Sequence, residues 1–123
     1  MSGEVNFYEK VIALTRAVPE GKVVSYGYLA ELLGAPRAAR AVGYALRTLK
    51  YGTDVAWHRV VGKRGVMGKV SIRSFAYSRD EQIARLKDEG IQFDENDEFP
   101  LLVYLWQPTP EDVKSILKAA NLD

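Results

Sequence analysis

Apolar residues recur at helical spacing through the N-terminal part of the chain, and each run is cut short by glycine or proline before it can extend. Phe7, Val11, Leu14 and Val18 predict an amphipathic helix over Asn6–Ala17, closed by Pro19-Glu20-Gly21. Lys22-Val23-Val24 reads as a short extended piece. Ser25 can then cap a second helix through Leu33, with Leu29, Leu32 and Leu33 inward and Gly34 where a left-handed residue ends a helix. A tight turn at Ala35-Pro36 leads to a third helix, about Arg37 to Leu49, whose Ala38, Ala39, Ala41, Gly43 and Ala45 permit close approach. Helix, short turn, helix is the shape of a DNA-reading unit, and equally of an ordinary helical hairpin.

The remainder is more broken. From Tyr51 to Ala76 the chain is rich in glycine and β-branched residues: a loop, Arg59–Val61 extended, then a Gly62–Gly68 turn that reads as a hairpin or wing. Ser78 and Glu81 form a capping box for a helix through Glu89, ended by Gly90. Ile91–Phe93 is expected as a strand, Asp94–Glu98 as an acidic turn, and Pro100–Trp106 as a β-rich run. Thr109-Pro110-Glu111-Asp112 opens a last helix to about residue 121, with Val113, Ile116, Leu117 and Ala120 on one face. With 123 residues, 47% hydrophobic and 27% charged, the chain has apolar surface for one core. The expected fold is mainly α with a small β component, a single winged helix-turn-helix-like domain.

The formal charge of +1 hides an asymmetry. Residues 1–75 hold 12 Lys and Arg against 5 Asp and Glu, whereas residues 76–123 hold 5 against 11. Between Gly34 and Phe75 the bases are Arg37, Arg40, Arg47, Lys50, Arg59, Lys63, Arg64, Lys69 and Arg73, with Asp54 the only acid. That is a footprint for a polyanion, and by charge alone a solvated basic surface reads as well. There is no cysteine, which excludes disulfides, thiolate metal sites and a thiolate nucleophile. A single histidine, His58, excludes two-histidine metal motifs, so neither metal nor cofactor is expected. No run of about 18 apolar residues is present for a membrane span. Residues 1–10 carry Glu4 and Glu9 and lack a basic stretch followed by an apolar one, so a soluble intracellular protein is expected.

Three separated blocks carry the chemistry: Val23-Val24-Ser25-Tyr26, Ala39-Arg40-Ala41-Val42-Gly43 and Val55-Ala56-Trp57-His58-Arg59-Val60-Val61. Together they resemble the DNA-binding domain of the O6-alkylguanine-DNA alkyltransferases, and more closely their non-enzymatic relatives, the alkyltransferase-like proteins. The enzymes read Pro-Cys-His-Arg-Val, and that cysteine accepts the alkyl group. Here Trp57 stands in its place, Ala56 replaces the proline, and Leu49 falls where the enzymes have an asparagine. An indole has only an N–H donor, its lone pair being part of the ring, so Trp57 cannot accept an alkyl group in a displacement. It can supply an apolar wall to an extruded base, a contact worth roughly 1–3 kcal/mol. By residue type alone a core aromatic is the commoner fate of such a ring.

The resemblance implies roles for further residues. It places Tyr26, Arg40, Ala41 and Gly43 on the DNA, with Arg40, 17 residues before Trp57, filling the space of a flipped nucleotide and Tyr26 against its 3′ phosphate. A phosphate contact for Arg40 and a core position for Tyr26 are the plainer readings. It gives the pocket to Val55, Trp57, His58, Arg59, Ser71 and Glu89. His58 and Glu89 resemble the pair that relays to the enzymes' cysteine through water, which without a thiol leaves them a structural hydrogen bond orienting the Trp57 loop. Ser71 resembles the serine that donates toward the alkylated oxygen. Lys69 and Arg73 flank Ser71, while Val70 occupies the position of an arginine that contacts the lesion in some relatives. Tyr104-Leu105-Trp106-Gln107-Pro108 resembles a segment that closes over the pocket; the same run fits a core strand.

The function implied is recognition of O6-alkylguanine in duplex DNA from the minor groove by nucleotide flipping, without repair, flagging the damage to nucleotide excision repair proteins. Two alternatives stand beside it: a base-excising or dealkylating hydrolase using His58 and Glu89, and a winged-helix transcription regulator reading a base sequence.

Overall fold

The computed structural model describes residues 3–70 and 78–122, with side chains from residue 6 onward. Helix α1 runs Gly3–Ala17, three residues longer at its start than the apolar period requires. Its Val11, Leu14 and the following Val18 are fully enclosed. Each such side chain contributes roughly 1.5–3 kcal/mol by leaving water. Strand β1 is only Val24–Ser25, and Ser25 at once caps α2, Tyr26–Leu32, its Oγ accepting the N–H of Tyr28 at 3.1 Å. Gly34, at φ +75°, ends this helix as its position predicts. Helix α3, Ala39–Arg47, is shorter than expected at both ends. Ala38 donates back to Ala35 in the Pro36 turn at 2.9 Å, and Thr48 folds its hydroxyl onto the carbonyl of Ala45 at 2.6 Å.

Strands β2, Val60–Arg64, and β3, Met67–Lys69, form the wing. Their two-residue loop places Gly65 at φ +60°, the hand that a two-residue hairpin requires. Strand β4, Glu98–Pro100, pairs with β3, giving the order β1-β2-β3-β4, in which β1–β2 is parallel and the other pairs antiparallel. Gly68 lies opposite Phe99, and a Cβ at Gly68 would sit 2.5 Å from that ring. Phe99 is completely buried and has nowhere to go, so only glycine fits.

Helix α4 is Arg79–Asp88, one-turn α5 is Leu101–Tyr104 and α6 is Pro110–Ala119. Ser78 caps α4 as expected, but the Glu81 carboxylate goes to Arg85 at 2.7 Å; the reciprocal box forms instead at α6, between Thr109 and Asp112.

Two expected strands are corrected. Ile91–Phe93 is not one: the N–H of Ile91 turns back to Leu86 as part of the α4 terminus, and that of Gln92 goes to the Tyr104 hydroxyl. Pro100–Trp106 becomes β4, α5 and a single bridge, because Leu101 donates to the hairpin at Val66 and the chain then turns helical. Pro100 pairs with Met67 at the end of β4, and beyond it Leu105 bridges to Val23.

Successive valines on β1 and β2 point to opposite sides, as the period of two demands. Val24 and Val60 join α1, α2, α3 and Val113 of α6 in one core. Val23 and Val61 join Ile83, Leu86, Ile91, Phe99 and Leu101 in the other. The central ladder is therefore buried on both faces.

Candidate functional site

One face of α3 carries residues at i, i+3 and i+4 spacing that do not enter the core, and they open a groove of about 690 Å³ lined by Tyr26, Arg37, Ala39, Arg40, Gly43, Tyr44 and Arg47. The opposite face, Val42, Ala45 and Leu46, is buried and fixes the helix rotation. Arg40 is exposed, and Arg47 lies over the Tyr44 ring, 5.7 Å from its centre. A Cβ built on Gly43 meets no protein atom within 4 Å, so the glycine leaves room on the outer face rather than relieving a clash within. The first turn of α3 has no side-chain cap, and its Ala39 and Arg40 line the groove. Tyr26, the first residue of α2, is half-buried and shared with a second cavity of about 540 Å³ beneath the wing. Ala41 is half-buried and does not line the groove.

The basic run divides when it folds. Arg64 makes two hydrogen bonds to buried Glu98, at 2.9 and 2.8 Å, and Arg59 turns inward. Arg37, Arg40 and Arg47 remain on the groove.

The Trp57 loop is held from several directions. Val55, 2% exposed, accepts the Trp57 N–H at 2.8 Å, and the chain makes one 3-10 turn over Trp57–Arg59, where the sequence suggested only loop. Gln82 of α4, 5% exposed, donates to the buried carbonyls of His58 and Val60 at 3.1 and 3.0 Å. The sequence reading passed over Gln82, although it lies on the inward stripe of α4 with Ile83 and Leu86, where a polar side chain must find partners.

Glu89, at the α4 terminus, is the hub. It receives the Gly21 N–H at 3.0 Å, His58 Nε2 at 2.7 Å, and Arg59 Nε and Nη2 at 3.0 and 2.8 Å. Arg59 also donates to the Val18 carbonyl at 2.8 Å, so the turn after α1, the Trp57 loop and α4 are tied together. Burial alone would raise the Glu89 pKa, but the hydrogen bonds from Arg59, Gly21 and His58 outweigh it and bring the carboxyl to about 2. Burial lowers the His58 pKa, and the Arg59 and Arg85 charges add to that, against the pull of Glu89. Neutral His58 can bond the carboxylate only as the Nε2–H tautomer, which leaves Nδ1 a buried acceptor without a hydrogen bond among the described residues.

Both shifts make acid destabilising. As pH falls below 6.5, unfolded histidine takes a proton that native His58 resists. A second loss begins near 4.5 and continues to about 2 as the native Glu89 carboxylate is neutralised. Urea midpoints measured across pH should therefore be level above about 7 and fall in two steps; a curve rising between pH 7 and 5 would contradict this site.

Trp57 itself is 7% exposed. His58 meets it edge-on, with ring centres 5.9 Å apart at 81°, and the Arg85 guanidinium lies over its face 5.3 Å from the centre. Lys69 is half-buried on β3 opposite Gly62 and Glu98. Trp106 is half-buried against the α1–α3 core and donates its N–H to Val23 at 2.9 Å. Ser71 and Arg73 lie outside the described residues. Among those described, no cluster suited to a metal ion is found, and no helix is long and apolar enough to cross a membrane.

A short-turned helix pair with an exposed basic face on its second helix, beside a two-stranded wing, defines a winged helix-turn-helix-like domain shaped to meet a polyanion. The family described as 6-O-methylguanine DNA methyltransferase, DNA binding domain, matches residues 6–91, and the chain belongs to this family. Alkyltransferase-like protein 1 of Schizosaccharomyces pombe is 37% identical over 106 residues, 83% of this chain and 95% of its own. A DNA base-flipping protein of Vibrio parahaemolyticus is 36% identical over 102 residues, 83% of this chain and 97% of its own. The crystal structure of S. pombe Atl1 in complex with damaged DNA containing O6-carboxymethylguanine is similar with a TM-score of 0.71 at 36% identity, covering 85% of this chain and 97% of that one.

Proposed function

We propose that this protein recognises O6-alkylguanine in duplex DNA and holds the lesion without repairing it. The observation that carries the reading is Trp57: an indole occupies the position of the family's cysteine in a chain with no cysteine, while the surrounding His58, Arg59 and Glu89 remain hydrogen-bonded. The duplex lies along the α3 groove with its minor groove toward Arg40, and phosphates meet Arg37, Arg47 and the uncapped first turn. Gly43 keeps the helix surface low enough for close approach, with Ala41 beside the groove rather than in it. Tyr26 presses on the 3′ phosphate, and Arg40 enters the stack and donates to the orphaned base.

Flipping costs a few kcal/mol, less where alkylation has already weakened pairing, and that difference is a first source of selectivity. The extruded base meets Trp57, the backbone at Val55, and Ser71, with Lys69, Arg73 and Trp106 at the margin. His58, Arg59 and Glu89 hold the loop. A single ring buried to this degree is no open platform, so part of its cover moves when the base enters. With an indole in place of the thiol there is no cysteine to accept the alkyl group, so the complex is an end point, and removal falls to nucleotide excision proteins. The protein acts as a monomer in the compartment that holds the DNA.

Titration against duplexes carrying one guanine with O6 substituents of increasing size, against unmodified duplex, tests this. Tighter binding to modified guanine in several sequence contexts is expected, with the adduct recovered intact. Released base or restored guanine would establish the hydrolase reading, and preference for one unmodified sequence the regulator.

A further inference from the structure

Arg85 stands outside the three sequence blocks that carry the resemblance, yet its guanidinium lies over the ring on which the proposed function depends. It projects from α4, is aimed by Glu81 one turn earlier at 2.7 Å, and lies over the indole face of Trp57 at 5.3 Å. His58 meets the same ring at right angles, 5.9 Å between centres. A guanidinium over one face and an imidazole at the edge leave a flipped base the other face or the free edge. The side chain of Arg85 is 40% exposed and that of Glu81 35%, so their pair is set where it can be changed without opening a core.

We propose that Arg85 is a positioning residue for lesion recognition: it clamps one face of Trp57 and so fixes the indole surface offered to the base. This rests on the lesion-binding reading above. A cation over tryptophan contributes more as water leaves, and a base entering beside Trp57 dries the site. The clamp therefore strengthens when the lesion is bound and contributes little to binding an unmodified duplex, which leaves no base in the pocket.

The test uses the full chain labelled with fluorotryptophan, which gives one fluorine resonance each for Trp57 and Trp106, the former identified by its loss in Trp57→Phe. Arg85→Met keeps the apolar stem and removes the charge. Its expected effect is a displaced Trp57 resonance and a lesion affinity lower by about five- to tenfold relative to unmodified duplex, with Arg85→Lys recovering most of both. Glu81→Gln, which loosens the aim and leaves the cation, should move both readouts the same way and less far. An unchanged resonance and unchanged affinity ratio in Arg85→Met would overturn the proposal, as would equal weakening on both duplexes, the mark of a plain phosphate contact. If the unaltered protein fails to prefer the lesion, the functional reading falls, and the Trp57 resonance alone then decides whether Arg85 holds the ring.

Discussion

Replacing Glu89 with alanine should destabilise the fold by roughly 3–5 kcal/mol, because the guanidinium of Arg59 is then left desolvated without its counter-charge. Arg59 and Glu89 are 16% and 11% exposed in their side chains, and the carboxylate also holds Gly21 and His58. For a chain of this length the loss corresponds to a melting temperature lower by roughly 10–20 °C. Glu89→Gln keeps the shape, can still accept hydrogen bonds and should fall between. This chain has no thiol for the His58–Glu89 pair to serve. In a chain without one, a large effect on melting would make its role that of a brace across three segments. A melting temperature within a degree or two of the parent would show that water replaces the carboxylate freely and that the brace is illusory.

The second large effect concerns Arg40. Arg40→Ala should weaken binding to a lesion duplex by about 2 kcal/mol, roughly thirtyfold, with little change in melting, since the side chain is exposed and α3 is held by its opposite face. How the loss is distributed separates two roles. A phosphate contact predicts uniform weakening on all duplexes and a salt dependence shallower by about one counterion. Insertion into the stack predicts a greater loss on the lesion, where a nucleotide has to be kept out. Equal fractional loss of stability and affinity would mean that Arg40 serves the fold.

Much of this was legible beforehand because local signals agreed. Val11, Leu14 and Val18 keep one helical period, Ser25 stands where a cap is needed, and Gly34 and Gly90 take the left-handed conformation at helix ends. The small sheet was harder. Ile91–Phe93 has the composition of a strand, but the N–H of Ile91 closes the α4 terminus on Leu86, and that of Gln92 goes to Tyr104, which only tertiary contact brings near. In the site, the charge count treated Arg59 and Arg64 as unpaired bases, because their partners, Glu89 and Glu98, lie 30 and 34 residues away in sequence. Arg85 and Gln82 were overlooked for a related reason. Each acts on the Trp57 loop from a helix that carries no motif, and a linear reading does not show which face of α4 the loop will meet.

The parallel pairing of Val24 with Val60 and Ser25 with Val61 sets more than a ladder. Tyr26 follows directly from one of these strands and Trp57 stands just ahead of the other. A slip of one residue would invert both interiors at once, so the interval between Tyr26 and Trp57, the residues proposed to meet phosphate and base, is built to a fixed gauge. Under the proposed lesion reading, the travel that brings a nucleotide across that interval comes from bending and unwinding of the duplex, so flexible sequence around a lesion should make its capture easier.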